Sequence, residues 1–227
     1  MTTVNLPFRD RRHAGRVLAT QLEQYRGRAG LLVLALPRGG VAVGFEVARE
    51  LVAPLDIFVV RKLGLPGHEE YAMGAIASGG GVRVMNPLSG ISVRPEAIAA
   101  VIEREQAELE RREHFYRKQR PAVPIRGRSV IVVDDGLATG ATMQAAVLAI
   151  RQQRPVHLAV AVPVGAPDTC AALRQQADAV ICTATPEPFG AVALWYQAFP
   201  QATDDEVCAL LEEARREHAI ATRLCGP

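Results

Sequence analysis

Along the chain, apolar residues alternate between strand-sized blocks and stripes of helical spacing. The first stripe, Ala14, Val17, Leu18, Leu22 and Tyr25, marks one face of a helix, with Asp10 placed to cap it. Leu31 to Leu36 is a continuous apolar run, stopped by Pro37 and followed by Gly39 and Gly40, the pattern of a buried strand feeding a tight turn. A helix is predicted from about Val41 to Leu51, and Pro54 to Val60 reads as a second buried strand ending at Arg61 and Lys62. A loop containing Gly64, Pro66 and Gly67 follows, and then Ala75–Ala77 and Val82–Met85, separated by Ser78–Gly81, predict a hairpin.

Between Arg94 and Arg120, Ile98, Ile102, Leu109 and Tyr116 keep helical spacing, while Glu105 and Arg112 interrupt the stripe. Glu108 with Arg112, and Glu113 with Arg117, are placed to add about 0.2–0.5 kcal/mol each to a long helix that lies over the core or projects from it. Val130–Val133, Val156–Val162 and Ala179–Cys182 predict three more strands, with helices at Ala141–Gln153 and Asp168–Gln176 between them. Thr203, with Glu206 three residues on, forms a capping box opening a helix that carries Val207, Leu210 and Leu211. Buried strands alternating with helices predict an α/β fold: a parallel five-stranded sheet with helices on both faces. To it are added an inserted hairpin and long helix and a C-terminal hood.

A chain of 227 residues can bury one large core, and it is expected to form a single domain over 1–227. The core spans about 10–85 and 128–183, the helical insertion about 90–122 and the C-terminal cap about 184–227. With 49% apolar and 22% charged residues the balance is that of a globular protein, and the apolar runs are too short to span a bilayer. A formal charge of +2 argues against a nucleic-acid surface. Met1–Arg12 lacks the pattern of a secretory signal, so the expected compartment is the cytoplasm. Cys170, Cys182, Cys208 and Cys225 show neither C-x-x-C spacing nor paired histidines, which argues against zinc and against a redox dithiol and favours ordinary thiols. His13, His68, His114, His157 and His218 have no metal spacing.

The chemistry concentrates after the third strand: Val130–Val133, Asp134, Asp135, then Gly136, Leu137, Ala138, Thr139, Gly140, Ala141 and Thr142 at the start of a helix. A helix N-terminus offers unpaired N–H groups and a partial positive charge, so this turn can wrap a phosphate. Gly136 and Gly140 permit close approach, and Thr139 and Thr142 add hydroxyl donors. The two acids repel that phosphate, so they are assigned to a neighbouring sugar or cation. Because successive strand residues face opposite ways, one of the two faces the ligand and the other fixes the loop, unless the turn starts early. A Walker A loop would need a Lys after Gly140, and Gly39, Gly40 and Gly44 do not fit a dinucleotide fingerprint. Arg38 beside Gly39 and Gly40 makes a second anion clamp.

VIVVDDGLATGAT resembles the phosphoribosyl-pyrophosphate motif of type I phosphoribosyltransferases, and LALPRGGVAVG, VVRKLGLPG and ALWYQAF extend the resemblance to the bacterial group of predicted phosphoribosyltransferases over nearly the whole chain. The resemblance implies an enzyme that binds magnesium 5-phosphoribosyl 1-pyrophosphate (PRPP), transfers the phosphoribosyl group to an acceptor, a nucleobase, and releases pyrophosphate. It implies catalytic roles for Asp134, Asp135, Arg38 and Lys62, 5′-phosphate contacts from Gly136 through Thr142, and pyrophosphate contacts from Arg38, Gly39, Gly40, Arg61 and Lys62. Magnesium is held mainly by pyrophosphate, with Asp134 or Asp135 reaching it through water, so no side chain is assigned as a direct ligand.

Arg61 and Lys62 head the segment that in this family becomes a lid excluding water from an oxocarbenium-like transition state, with Glu69, Glu70 and Tyr71 seating it. Phe189, Trp195, Tyr196 and Phe199 either stack on the base or anchor the terminal helix to the core, and Asp168 lies where the fold often touches the base. The family habit is a homodimer with small-molecule substrates, and neither membrane nor nucleic acid enters. Two alternatives stay open: a non-catalytic sensor of PRPP or a nucleotide on the same fold, and hydrolysis or phosphorolysis of a nucleotide-like substrate.

Overall fold

The computed structural model describes residues 5–79, 82–85 and 93–224. Strands β1 (Leu31–Ala35), β2 (Leu55–Ile57), β6 (Ser129–Val133), β7 (His157–Val164) and β8 (Ala179–Ala184) form a parallel sheet in the order β2-β1-β6-β7-β8. Strands β3 (Val60–Leu65), β4 (His68–Ala77) and β5 (Val82–Met85) form a separate antiparallel sheet. The helices are α1 (Arg11–Thr20), α2 (Gly40–Leu51), α3 (Pro95–Arg117), α4 (Ala141–Gln152), α5 (Pro167–Leu173) and α6 (Asp204–Leu224).

Every residue of β1 and β6 is buried, because helices cover both faces. Leu32, Leu34, Val130 and Val132 point into a cluster with Val147 and Ile150 of α4, while Val33, Ile131 and Val133 point the other way, toward Leu18 of α1 and Val43 and Val47 of α2. This is the period-two alternation of a strand, with both faces apolar. Each fully buried Val or Leu contributes roughly 1.5–3 kcal/mol of transfer free energy. The register Ala35↔Val133 brings the carboxyl ends of β1 and β6 level, so the turns that follow them emerge side by side.

Local signals placed the helix ends. Asp10 Oδ1 accepts the His13 N–H at 2.7 Å, and Thr203 and Glu206 exchange main-chain to side-chain hydrogen bonds at 2.7 and 3.1 Å. Two expectations need correction. The apolar run Pro54–Val60 is not one strand: Leu55–Ile57 pairs with β1, and from Val60 the chain pairs with β4 instead. Arg61, Lys62 and Gly64 therefore lie inside a strand, and of the expected loop only Pro66 and Gly67 turn the chain back, Gly67 at a φ of 79°. The helix expected over Asp168–Gln176 runs Pro167–Leu173, its start set by Pro at the first turn. Helix α3 lies over the antiparallel sheet, packing Val101, Leu109 and Tyr116 against Leu63, Met73 and Ile76. No described helix is long and apolar enough to cross a membrane. The side chains of Glu69 and Glu70, and the whole of Cys225, lie outside the described residues.

Candidate active site

The turn from β6 to α4 is built from its fixed points. Leu137 is buried, its N–H donates to the Val164 carbonyl at 2.9 Å, and its own carbonyl accepts the Ala166 N–H at 2.8 Å, which staples the turn to the end of β7. The Thr169 hydroxyl donates to the Ala138 carbonyl at 2.7 Å. Gly140 has φ +71°, and a Cβ there would stand 2.4 Å from Thr169 Cγ2. With its carbonyls tied back, the turn presents its amides: among the described residues, no protein group accepts the N–H of Ala138, Thr139, Gly140, Ala141 or Thr142. The first acceptor of α4 is the Gly140 carbonyl, bonded by Gln144 N–H at 2.8 Å. Thr139 and Thr142 are exposed beside these amides. Seven residues assigned to one phosphate cradle thus form one turn, in which the Leu137 N–H alone among these amides is already engaged within the protein, as far as the described residues go.

The turn after β1 closes against the acids. The peptide bond Pro37–Arg38 is cis, and the Gly40 N–H donates to the Leu36 carbonyl at 3.1 Å. A Cβ on Gly39 would lie 2.0 Å from Asp135 Oδ2, and one on Gly40 would lie 2.9 Å from Asp134 Cα. These glycines are therefore the condition for the turn after β1 to close against Asp134 and Asp135. The turns expected to form two separate clamps lie against each other.

Asp134 Oδ1 accepts the Asp135 N–H at 2.8 Å. Burial pushes the Asp134 carboxyl well above the usual carboxylate range, and the charge of Asp135 pushes it the same way. Asp135 is also pushed up by burial, against the pull of Arg11, whose Nε lies 2.7 Å from Oδ2. The Tyr196 hydroxyl donates to the Asp135 carbonyl at 2.6 Å. Such a pair of oxygen ligands, with no all-protein cage around it, suits magnesium that arrives with a substrate's phosphates. Among the described residues no group of three or more His, Cys, Asp or Glu is placed to hold a metal by itself.

The other assigned residues fall further out. Arg61 donates through Nε to Glu105 on α3 at 2.9 Å, so its guanidinium is engaged there. Lys62 is exposed on β3, opposite Ala75, and no described contact joins it to the turn between β6 and α4. Asp168 is exposed at the start of α5, and its neighbour Thr169 is the residue that touches the turn. Tyr196 packs on Phe199 and Phe8 with ring centroids 4.8 and 5.7 Å apart, and Trp195 Nε1 donates to the Phe189 carbonyl at 2.9 Å. These aromatics are packed as an anchor. What they anchor is the segment before α6 to Asp135 and the N-terminal segment. A cleft of about 400 Å³ opens beside Arg11 and Arg38, walled by Ala42, Pro200, Val207 and Leu210. Sequence reasoning missed Arg11, Glu105 and Thr169. Glu105 alone left a signal, as an acid inside an apolar stripe.

Comparison with known proteins places the chain in a family. Proteins from two Mycobacterium tuberculosis strains, provisionally named phosphoribosyl transferases, are each 47% identical over 216 residues, 94% of this chain and 48% of their own length. The chain thus spans about half the length of the curated relatives it matches. The crystal structure of a Thermus thermophilus protein superposes with a TM-score of 0.80 at 41% identity, covering 92% of this chain and 99% of that one. The model of the phosphoribosyl transferase domain matches residues 11–192, a stretch that includes the turns after β1 and β6, and the chain belongs to that family.

Proposed function

We propose that the chain is a phosphoribosyltransferase that binds magnesium PRPP and transfers the phosphoribosyl group to a nucleobase, releasing pyrophosphate. One observation carries this reading. A row of amides with no acceptor among the described residues, Ala138 to Thr142, follows two residues after a pair of partly buried acids that touch the Gly39–Gly40 turn. The amides suit the 5′-phosphate, the acids suit the ribose hydroxyls beside it, and Arg38 with the Gly39 amide suits the pyrophosphate, the Gly40 N–H being spent on the Leu36 carbonyl.

Magnesium, when bound with the substrate, would neutralise charge on the pyrophosphate, and Asp134 and Asp135 are the side chains that would hold it through water. The protein's own contribution is positioning and electrostatics. The turn grips the phosphate end, the acids orient the ribose, and Arg38 takes up charge as pyrophosphate departs. Lys62 adds to that charge uptake if the β3–β4 hairpin closes over the site.

Phosphorus NMR of the purified protein with magnesium, PRPP and a panel of nucleobases tests the proposal. Pyrophosphate release that depends on one base is the expected result. Saturable PRPP binding with no product for any base would replace the enzyme by a sensor, and ribose 5-phosphate formed without a base would indicate hydrolysis. Absence of PRPP binding would end the reading.

A further inference from the structure

Arg11 opens α1 among several arginines, and its neighbours serve a different purpose. Arg12 and Arg16 bond the buried carboxylate of Glu46 on α2 at 2.6 and 2.9 Å, tying the two helices together. Arg11 turns toward the site. Its Nε donates to Asp135 Oδ2 at 2.7 Å, its Nη1 donates to the Pro200 carbonyl at 2.7 Å, and its guanidinium carbon lies 3.7 Å from the centroid of the Phe199 ring. The side chain is only 12% exposed and that of Asp135 16%. A planar guanidinium held by a carboxylate, a carbonyl and an aromatic face keeps one orientation, and it passes that constraint to the carboxylate.

The C-terminal segment grips Asp135 a second time, through the Tyr196 hydroxyl on its carbonyl at 2.6 Å, while the Gly39 backbone closes against Oδ2. Oδ1 accepts no hydrogen bond from the described residues, so it is the oxygen left for a ligand.

We propose that Arg11 is a positioning residue for the sugar: acting through Asp135, it aims Oδ1 at the ribose hydroxyls and couples segment 196–200 to that site. The proposal rests on the reading of Asp134–Thr142 as a PRPP site. It assigns Arg11 an effect on ligands that contain ribose and none on pyrophosphate alone, whose contacts belong to the turn after β1.

Calorimetric titration of magnesium PRPP, ribose 5-phosphate and magnesium pyrophosphate into the wild type, Arg11→Gln, Arg11→Lys, Asp135→Asn and the Arg11→Gln/Asp135→Asn double variant tests it. Arg11→Gln is expected to weaken PRPP and ribose 5-phosphate by about tenfold or more, the loss of one charge-assisted contact. Pyrophosphate affinity should stay within about twofold, and Arg11→Lys should recover part of the loss. In the Asp135→Asn background, Arg11→Gln should cost less than about twofold more, because the two residues act as a unit.

Equal loss for all three ligands, or full additivity in the double variant, overturns the proposal and leaves Arg11 a structural tether. If Arg11→Gln does not fold, Arg11→Lys and Phe199→Leu, which removes the stacking alone, carry the same comparison. Wild-type protein that binds no PRPP overturns the underlying reading and this proposal with it. Wild-type binding matched by Arg11→Gln sinks only the role of Arg11.

Discussion

Asp134 sits where β6 ends, with its carboxylate accepting one main-chain N–H and a second acid next to it. Its folded pKa is raised above the ordinary value of about 3.9, by burial first and by Asp135 second. A carboxyl shifted that way binds its proton more tightly in the folded than in the unfolded state. Stability therefore falls as pH rises from the unfolded pKa through the folded one. Asp134→Asn is expected to remove that loss: thermal unfolding at neutral pH should give a higher Tm, by roughly 2–4 °C for each kcal/mol recovered. The same variant combined with Asp135→Asn should weaken PRPP binding strongly, and unchanged affinity in a titration would remove the ribose role of the pair. Gly39→Ala places a methyl within 2.0 Å of Asp135 Oδ2, so it should abolish PRPP binding more completely than it lowers Tm. The identity of these residues was legible in the run of four apolar residues, two acids and a Gly/Thr turn. Their contacts were not, since Asp135 and Arg11 stand 124 residues apart along the chain.

At the scale of elements, short-range rules performed well where the partners lie within a turn of each other. Asp10 with His13, Thr203 with Glu206, and the pairs Glu108–Arg112 and Glu113–Arg117 all formed, at 2.6–3.1 Å. The division between β2 and β3 escaped the same rules, because an apolar run says that a strand is buried but not which strand it pairs with. Helix α3 illustrates both sides. Its stripe was plain, while the acid that breaks it, Glu105, makes sense only once Arg61 of β3 is found against it. Glu105→Gln is expected to lower stability by about 1.5–3 kcal/mol in urea denaturation, the range for hydrogen bonds to charged groups. The effect should shrink but not vanish in an Arg61→Gln background, because Arg104 Nε also donates to Glu105 at 3.1 Å, and a double-mutant cycle would measure the difference.

Across the whole molecule, two distant parts of the chain are clasped over the site. Phe8 is fully buried against Tyr196, its N–H donates to the Trp195 carbonyl at 2.8 Å, and its carbonyl accepts the Gln197 N–H at 2.7 Å. Phe8→Ala should cost about 3–5 kcal/mol, seen as a lowered urea midpoint, and should weaken PRPP binding because Tyr196 then loosens its hold on Asp135. The sequence by itself determined the parallel α/β class, most helix positions and the place of the Gly/Thr turn between β6 and α4, since period, caps and a contiguous motif are carried by residues close together in the chain. Tertiary structure alone decided the strand exchange at residues 57–60, the meeting of the two glycine turns with the acids, and the pairings of Arg11 and Arg61. Each of these depends on which remote surfaces come into register when the core closes, and spacing along the chain holds no record of that.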